Sequence, residues 1–231
     1  MSGKLVLLSG PSCVGKTPLL NSLRLFYPQV LWGRPVLYTS REPRPNEEDG
    51  KDYHFRSEQE IQALPQSRYV TAKTRNVWQA IDLDELDVLT QKYKWIIYDA
   101  HLSLAGRLLQ HERIRQEAVE IVRVFLQPVS MEEIAQISLE TGTSAQETVQ
   151  RIMATKLVVR AQNLQLPLNE NVMIDIQIRS SRAWEEILQG QSSDLIFINH
   201  DGEDSPNWLC SPPAGDAGKT LQAFAEIFSC S

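Results

Sequence analysis

Residues 10 to 17, GPSCVGKT, form a glycine-rich segment whose residue types and spacing can bind phosphate. The N–H groups of such a loop converge on phosphate oxygens at a helix N-terminus. Lys16 would reach the β and γ oxygens of a nucleoside triphosphate, and the Thr17 hydroxyl would ligate Mg²⁺. The segment follows the apolar run LVLLS and precedes a helical pattern, which is the context that this motif requires. The residues predicted to bind the donor are Gly10, Ser12, Cys13, Val14, Gly15, Lys16 and Thr17.

A second segment, YTSREPRPNEEDGKDYHFR at residues 38 to 56, combines arginines with a tyrosine. Arg41 and Arg44 precede Tyr53, so two guanidinium groups and a phenol could bind one phosphate dianion. Such charge-assisted contacts are strong and geometrically selective. Pro43 and Pro45 restrict the loop that carries the arginines. A solvated charged turn is the alternative, but it does not explain this order of Pro, Arg and Tyr.

Together the two segments closely resemble guanylate kinases, whose pattern is T-[ST]-R-x-P-R-x-G-E followed by D-G-x-D-Y-x-F. The resemblance is strong over residues 1 to 60, moderate over the sheet and the C-terminal segment DLIFIN, and weak elsewhere. It implies a core domain, a small acceptor-binding domain and a mobile lid, with ATP and Mg²⁺ as the donor system. Glu47 occupies the position of the family glutamate on the acceptor side, and Asn199 resembles the asparagine beside the donor adenine.

The chain departs from this pattern where guanylate kinases recognise guanine. Leu37, Val70 and His101 occupy the positions of a serine, a glutamate and an acid. Residues 76 to 79 replace the N-Y-Y-G segment with its phosphate-binding tyrosine; Arg75 could substitute for that tyrosine, or be an ordinary surface arginine. Guanine groups without partners would cost about 1 to 3 kcal/mol each, so we expect altered base recognition. The candidate acceptor-binding residues are Arg41, Arg44, Glu47, Tyr53, Arg75 and His101.

The resemblance also assigns an acidic residue and a lid. Asp99 ends the apolar run WIIYD. It thereby resembles the acidic residue that holds Mg²⁺ after an apolar strand in P-loop proteins; alternatively, Asp99 could simply cap a turn.

Arg179 corresponds to a lid arginine that steadies the transferring phosphoryl group. This match makes residues 144 to 163 an added helix within the lid. We interpret the cations of that helix as a solvated face: they are Arg151, Lys156 and Arg160. The residues expected to act in catalysis are Lys16, Arg41, Arg44 and Arg179.

The elements that would position these residues follow from apolar periodicity. Short apolar runs alternate with segments of helical spacing, which favours a mostly parallel five-stranded sheet covered by helices. The expected fold is the α/β three-layer fold of P-loop NTPases, with a small acceptor-binding domain and a helical lid. The predicted strands are Leu5 to Ser9, Val36 to Thr39, Trp95 to Tyr98, Ile121 to Leu126 and Leu195 to Ile198. The predicted helices are Pro18 to Leu25, Leu83 to Thr90, Ser103 to Gln110, Met131 to Leu139 and Ser144 to Asn163.

The resemblance implies a single guanylate-kinase-like domain over residues 1–231. Its core would comprise residues 1–35, 95–135 and 190–231. The acceptor-binding subdomain would cover residues 36–90, and the lid residues 138–180. We expect a loop from Asp201 to Gly218, which is rich in Gly, Pro and Asp.

Composition limits the partners. With 231 residues, of which 42% are hydrophobic, the chain can bury a core. Lys and Arg number 23 against 29 Asp and Glu, and the net charge of −6 excludes a general attraction to nucleic acid or anionic membranes. The three cysteines lack metal-ligand spacing and are expected to be free thiols in a reducing compartment. The N-terminal apolar run is too short for a signal sequence or a membrane span, so we expect a cytoplasmic protein. The sequence does not indicate its oligomeric state.

The function expected from the residues and the resemblance is transfer of the γ-phosphoryl group of ATP to a nucleoside monophosphate, with GMP as the family's acceptor. Two alternatives remain. A kinase of the same fold could act on another phosphorylated small molecule. An inactive binding module could retain the fold without the chemistry, although the intact donor loop argues against it.

Overall fold

The computed structural model describes residues 3–43, 47–74, 76–99, 101–116 and 119–229. The chain divides into two compact units. The first unit comprises Met1–Leu8 and Leu31–Arg123, and the second comprises Ser9–Val30 and Val124–Ser231. Each unit contains part of the predicted functional machinery, and each is described separately below.

The secondary structure follows in chain order. The strands are β1 (Lys4–Ser9), β2 (Trp32–Gly33), β3 (Tyr38–Thr39), β4 (His54–Phe55), β5 (Tyr69–Thr74), β6 (Val77–Asp82), β7 (Trp95–Asp99), β8 (Ile121–Gln127) and β9 (Leu195–Ile198). The helices are α1 (Lys16–Phe26), α2 (Glu58–Gln62), α3 (Leu83–Lys92), α4 (Leu102–Gln110), α5 (Glu112–Gln116), α6 (Met131–Thr141), α7 (Ala145–Asn163), α8 (Glu170–Gly190) and α9 (Gly215–Glu226). A short 3-10 helix covers Pro206–Leu209.

A five-stranded all-parallel sheet confirms the predicted α/β fold. Its strand order is β2-β7-β1-β8-β9, so the first strand along the chain lies at the centre. Burial of β1 and β7 on both faces explains their continuous apolar sequences, KLVLLS and WIIYD. The carboxyl ends of these strands carry the donor loop and Asp99, in agreement with the general location of ligand sites in such sheets.

The predicted strand from Val36 to Thr39 is wrong as a member of the parallel sheet. The backbone N–H of Val36 donates to the Glu85 carboxylate at 3.0 Å, and only Tyr38–Thr39 forms a strand, β3. The fifth strand of the parallel sheet is β2, which lies at one edge of the sheet. The sequence did not indicate this strand, because its two residues, Trp32 and Gly33, are too few to show an apolar pattern.

A second sheet of four strands, in the order β4-β3-β6-β5, forms in the first unit. β5 and β6 are antiparallel, with Tyr69 paired to Asp82 and Thr74 paired to Val77. The sequence interpretation did not predict this hairpin, because the paired segments mix polar and apolar residues without a clear alternation. Leu37 and Val70 are buried in a cluster that packs this hairpin against the parallel sheet.

The helices agree closely with the predicted ones at their N-termini. Ser130 and Ser144 each form a capping box with a glutamate three residues later, so α6 and α7 begin directly after them. The expected loop from Asp201 to Gly218 is wrong at its end, because α9 begins at Gly215. Within the described part of the chain, every helix is too short or too polar to span a bilayer.

Candidate active site

The donor loop connects β1 to α1 in the second unit. Gly15 has a φ of +100°, and a Cβ atom there would lie 2.6 Å from Nδ2 of Asn199, so only glycine fits. Cys13 also adopts a left-handed backbone conformation, with a φ of 68°, which is uncommon for a residue with a side chain. The loop therefore turns sharply from the strand into the helix N-terminus, where N–H groups can meet an anion.

Lys16 is the first residue of α1, and its ammonium group folds back over the loop. Nζ donates to the carbonyl oxygen of Gly10 at 2.9 Å and to that of Pro11 at 3.3 Å. The following residue, Thr17, is exposed, and its hydroxyl has no hydrogen-bond partner among the residues that the structure describes. The loop thus presents one cation and one free hydroxyl at the start of the helix.

The thiol of Cys13 is buried between the loop and α7. Sγ lies 3.6 Å from the carbonyl oxygen of Lys156 and 3.7 Å from Oδ2 of Asp204. Burial raises the pKa of the Cys13 thiol to about 11, with smaller effects from neighbouring charges. The group is therefore neutral at pH 7 and a poor nucleophile. Its side chain packs with Leu157, Ala161 and other apolar residues of α7 and α8.

The cations of α7 correct the interpretation of that helix as a solvated face. Only Arg151 is exposed. Lys156 is half-buried and donates to the carbonyl oxygen of His200, and burial lowers its pKa. Arg160 forms an ion pair with Glu203 at 2.7 Å. Two of the three cations therefore bind the segment that follows β9, beside the donor loop.

The segment after β9 fixes the backbone of the donor loop. Nδ2 of Asn199 donates to the carbonyl oxygen of Val14 at 2.8 Å. The N–H of Glu203 donates to the carbonyl oxygen of Cys13 at 2.9 Å. The indole N–H of Trp208 donates to the carbonyl oxygen of Gly202 at 2.6 Å. Because the first two bonds use carbonyl oxygens of the loop, its N–H groups remain available for phosphate.

Substitution of Gly202 by alanine is expected to weaken both stability and donor binding. Its φ is +65°, and a Cβ atom would lie 3.1 Å from the Cys13 carbonyl oxygen and 3.3 Å from Nζ of Lys156. The left-handed backbone alone costs about 1–2 kcal/mol, and crowding adds about 1–3 kcal/mol. We expect a lower midpoint in urea unfolding and a higher KM for ATP.

Gly142→Ala is the matched control for this change. Gly142 has nearly the same φ, +66°, but a Cβ atom there would meet nothing within 4 Å. It should lose only the backbone contribution to the free energy of unfolding and retain the wild-type KM for ATP. Equal effects of the two substitutions on that KM would contradict the contact between Gly202 and the loop.

His200 joins two helices through its ring. Nε2 lies 3.0 Å from Oε2 of Glu133 in α6, and Nδ1 contacts Asp216 in α9, which also pairs with Lys219. Burial alone would lower the pKa of His200, but the hydrogen bonds with the two carboxylates outweigh it and raise the pKa. These contacts indicate a structural role for His200, because both of its ring nitrogens already contact carboxylates.

The raised pKa predicts a pH-dependent stability. A group whose pKa is higher in the folded protein stabilises it below the unfolded value, about 6.5 for histidine, and this contribution disappears as pH rises through the folded pKa. The Tm difference between wild type and His200→Gln should therefore be largest below about pH 6.5 and shrink as the pH rises above that value. A difference that stays constant or grows over this range would contradict the double ion pair.

The residues predicted to bind the acceptor that the structure describes lie in the first unit, and Arg41 has the most contacts with protein groups suited to fix its orientation. Its Nη1 and Nη2 atoms donate to the two carboxylate oxygens of Glu47, both at 2.6 Å. The guanidinium group lies 4.7 Å from the ring centroid of Tyr53 and 5.5 Å from that of Phe55. Burial would lower the pKa of Arg41, but the Glu47 carboxylate outweighs it and raises the pKa. Arg41 is therefore permanently charged and held in one orientation.

The other residues predicted on the acceptor side have different surroundings. Asp99 ends β7, and its carboxylate has no hydrogen-bond or ion-pair partner among the described residues. His101 caps α4, since its Nδ1 accepts the N–H of Ser103 at 3.2 Å. Arg44 and Arg75 lie outside the described residues, and their predicted parts stay predictions.

The predicted lid arginine has a partner on its own helix. Nε of Arg179 donates to Asp175 one turn earlier, at 2.9 Å. Both residues lie on α8, which packs along α7. Its assignment to the phosphoryl group also stays a prediction.

Sequence reasoning did not assign Lys156, Arg160, Glu203 or Trp208 to the neighbourhood of the donor loop. Their positions depend on α7 and on the segment after β9 meeting the loop. The residue of the loop that makes this contact is Cys13, whose side chain packs against α7 and α8.

Comparison with known proteins agrees with this arrangement. A family model described as guanylate kinase matches residues 2–177. Guanylate kinase of Rhodococcus jostii is 32% identical over 160 residues, which cover 68% of this chain and 73% of that protein. Guanylate kinase of a Synechococcus species is 30% identical over 160 residues, covering 64% of this chain and 66% of the relative, slightly under two thirds of its length.

A solved structure supports the fold independently. The crystal structure of guanylate kinase from Anaplasma phagocytophilum superposes with a TM-score of 0.57 at 17% identity, covering 99% of this chain and 85% of that one. At this identity the likeness shows the fold alone, whereas the family model covers most of the sequence. The chain therefore belongs to the guanylate kinase family of nucleoside-monophosphate kinases.

Proposed function

We propose that this protein transfers the γ-phosphoryl group of ATP to a nucleoside monophosphate, with GMP as the first acceptor to test. The observation that supports the proposal is the presence of two arrangements suited to phosphate in one chain. The donor loop has Lys16 folded over it, and the acceptor side has Arg41 oriented by Glu47 and two aromatic rings. The guanylate kinase relatives support the same pair of substrates.

The chemistry requires positioning and charge neutralisation more than a strong base. Phosphoryl transfer passes through a loose transition state, and the attacking phosphate of a nucleoside monophosphate is already an anion. Lys16 would neutralise charge on the β and γ oxygens of the donor. Arg41, with Arg44, would hold and orient the acceptor phosphate. Arg179 would contribute on lid closure, which also excludes water.

The donor set fits Mg²⁺ held mainly by nucleotide phosphates. Thr17 offers a hydroxyl and Asp99 a carboxylate, and neither group has a hydrogen-bond partner among the described residues. In the same part of the chain, no group of three or more His, Cys, Asp and Glu residues could hold a metal ion. Mg²⁺ commonly binds through one or two protein oxygens, waters and substrate phosphates. When bound, it would neutralise charge on the β and γ oxygens.

The division of labour along the chain is part of this proposal. Residues 36–90 would bind the acceptor, and residues 138–180 would form the lid. Residues 1–35, 95–135 and 190–231 would form the core with the donor site. In this scheme Asn199 would lie beside the donor base, and its buried Oδ1, without a hydrogen-bond partner among the described residues, would accept from it.

The test is a panel of acceptors with ATP and Mg²⁺. We expect ADP formation that depends on acceptor with at least one of GMP, dGMP, AMP, IMP and XMP. Calorimetry of ATP with Mg²⁺ would be measured in parallel, and Lys16→Ala should abolish the binding. If the protein binds ATP but converts none of these nucleotides, the proposed reaction is wrong. That result would favour an inactive binding module or a kinase that acts on a different phosphorylated acceptor.

A further inference from the structure

The hydroxyl of Tyr98 is a buried polar group without a hydrogen-bond partner among the described residues. Tyr98 is 1% exposed and lies in β7, in the apolar cluster of the first unit. A buried hydroxyl without a hydrogen-bond partner destabilises the folded protein, because it has lost its hydrogen bonds with water. Phenylalanine would fill the same space without that cost. The Tyr98 hydroxyl is therefore a candidate for a hydrogen bond with a bound ligand.

The neighbours of Tyr98 explain why the described part of the chain supplies no partner there. Leu37, Val70 and Leu104 belong to the same buried cluster, and their side chains have no hydrogen-bonding atoms. Tyr53 packs against this cluster and is only partly buried. A tyrosine phenol, with an ordinary pKa of about 10, is neutral at pH 7, and it can both donate and accept a hydrogen bond.

Tyr98 also stands at a position where ligands bind in parallel sheets. It directly precedes Asp99 at the carboxyl end of β7, and ligands of α/β proteins bind outside the carboxyl ends of the strands. Tyr53, which packs against the cluster that contains Tyr98, stacks under the guanidinium group of Arg41. Within one unit, Tyr53 therefore contacts both Arg41, the proposed phosphate-binding residue, and the apolar cluster that contains Tyr98.

We propose that Tyr98 is a specificity-determining residue for the acceptor, and that its hydroxyl hydrogen-bonds a carbonyl or ring N–H on the edge of the acceptor's base. This inference rests on the proposed function. Because the hydroxyl is covered in this structure, the base would gain access when side chains of the apolar cluster around it move aside. One hydroxyl contacts one edge group at a time, so the acceptor should need a polar group at one position of the base and tolerate changes elsewhere.

Tyr98→Phe tests this directly, since it removes one oxygen atom and retains the ring. We expect kcat/KM for the best acceptor of the panel to fall at least tenfold, mainly through KM, while KM for ATP stays unchanged. Thermal stabilisation by the acceptor should fall in parallel. Tyr93→Phe is the matched control: Tyr93 packs against the same cluster before β7 begins, and its loss of a hydroxyl should leave all these quantities unchanged.

The outcomes separate this inference from the proposed function. An active wild type whose kcat/KM for the acceptor is the same in Tyr98→Phe would overturn the assignment of Tyr98 and leave the reaction intact. A wild type that neither turns over nor is stabilised by any nucleoside monophosphate would overturn both. A similar loss in Tyr98→Phe and Tyr93→Phe would also overturn the assignment, because it would show a general effect on packing.

Discussion

We expect Lys16→Ala to lower kcat/KM for ATP by at least about 10²–10³-fold, the effect of removing one preorganised charge-stabilising group from a transition state. Nζ of Lys16 lies over the donor loop, within 2.9 Å of the Gly10 carbonyl oxygen, so its loss removes the loop's own cation. Negative charge on the transferring phosphoryl group would then be balanced only by groups outside the loop. Steady-state ADP formation with saturating GMP measures the effect.

The control for Lys16 is a lysine that is far from phosphate in the proposed scheme. Lys92 is exposed in the last turn of α3, and its Nζ lies 5.2 Å from the ring centroid of Tyr93. Lys92→Ala should retain kcat/KM for ATP within about twofold, since exposed surface substitutions have small effects. Near wild-type turnover in Lys16→Ala would show that the loop is not the donor site.

We expect Arg41→Ala to lower kcat/KM for the acceptor by about 10²-fold or more, with little change in KM for ATP. Hydrogen bonds to charged groups contribute about 1.5–3 kcal/mol each, and about 1.4 kcal/mol corresponds to a factor of ten. The structure holds Arg41 between Glu47 and the ring of Tyr53, so its orientation is fixed before the acceptor binds. Steady-state kinetics with varied acceptor and with varied ATP separates the two constants.

Two further variants distinguish geometry from charge. Arg41→Lys keeps the charge but loses the planar fork that binds phosphate with two bonds, so it should lose most of the same affinity. Arg56→Ala removes another arginine of the first unit, which pairs with Asp49 at 3.0 Å at the surface, and should change kcat/KM little. Full activity of Arg41→Lys would mean that only a positive charge is needed at this position.

The donor loop could be predicted from sequence because its information is local. The motif, the strand before it and the helix after it all lie within Lys4–Phe26, and the periodicity of that segment indicates both elements. Arg41 and Tyr53 are also close in sequence, and the structure places the guanidinium group of Arg41 over the Tyr53 ring. The detailed geometry of this segment, with both oxygens of Glu47 on Arg41, required the structure, because Glu47 could equally have faced solvent.

Residues that act across large sequence separations could not be predicted in this way. Lys156 is 143 positions from Cys13, and charges at helical spacing are normally solvated. Only the fold shows that Lys156 and Arg160 contact the segment next to the donor loop. The proposed role of Tyr98 could not be predicted from the sequence either, because tyrosine is common in apolar strands. Only the structure shows that its hydroxyl has no hydrogen-bond partner among the described residues.

The most direct test of the central claim is to follow the γ-phosphate of ATP with a radioactive label. Incubation of the wild-type protein with labelled ATP, Mg²⁺ and GMP, or the best acceptor of the panel, should yield the labelled nucleoside diphosphate in an amount equal to the ADP formed. Lys16→Ala and Arg41→Ala should both remove that product. Label appearing only as inorganic phosphate, or ADP formation independent of acceptor, would show an ATPase and contradict the account.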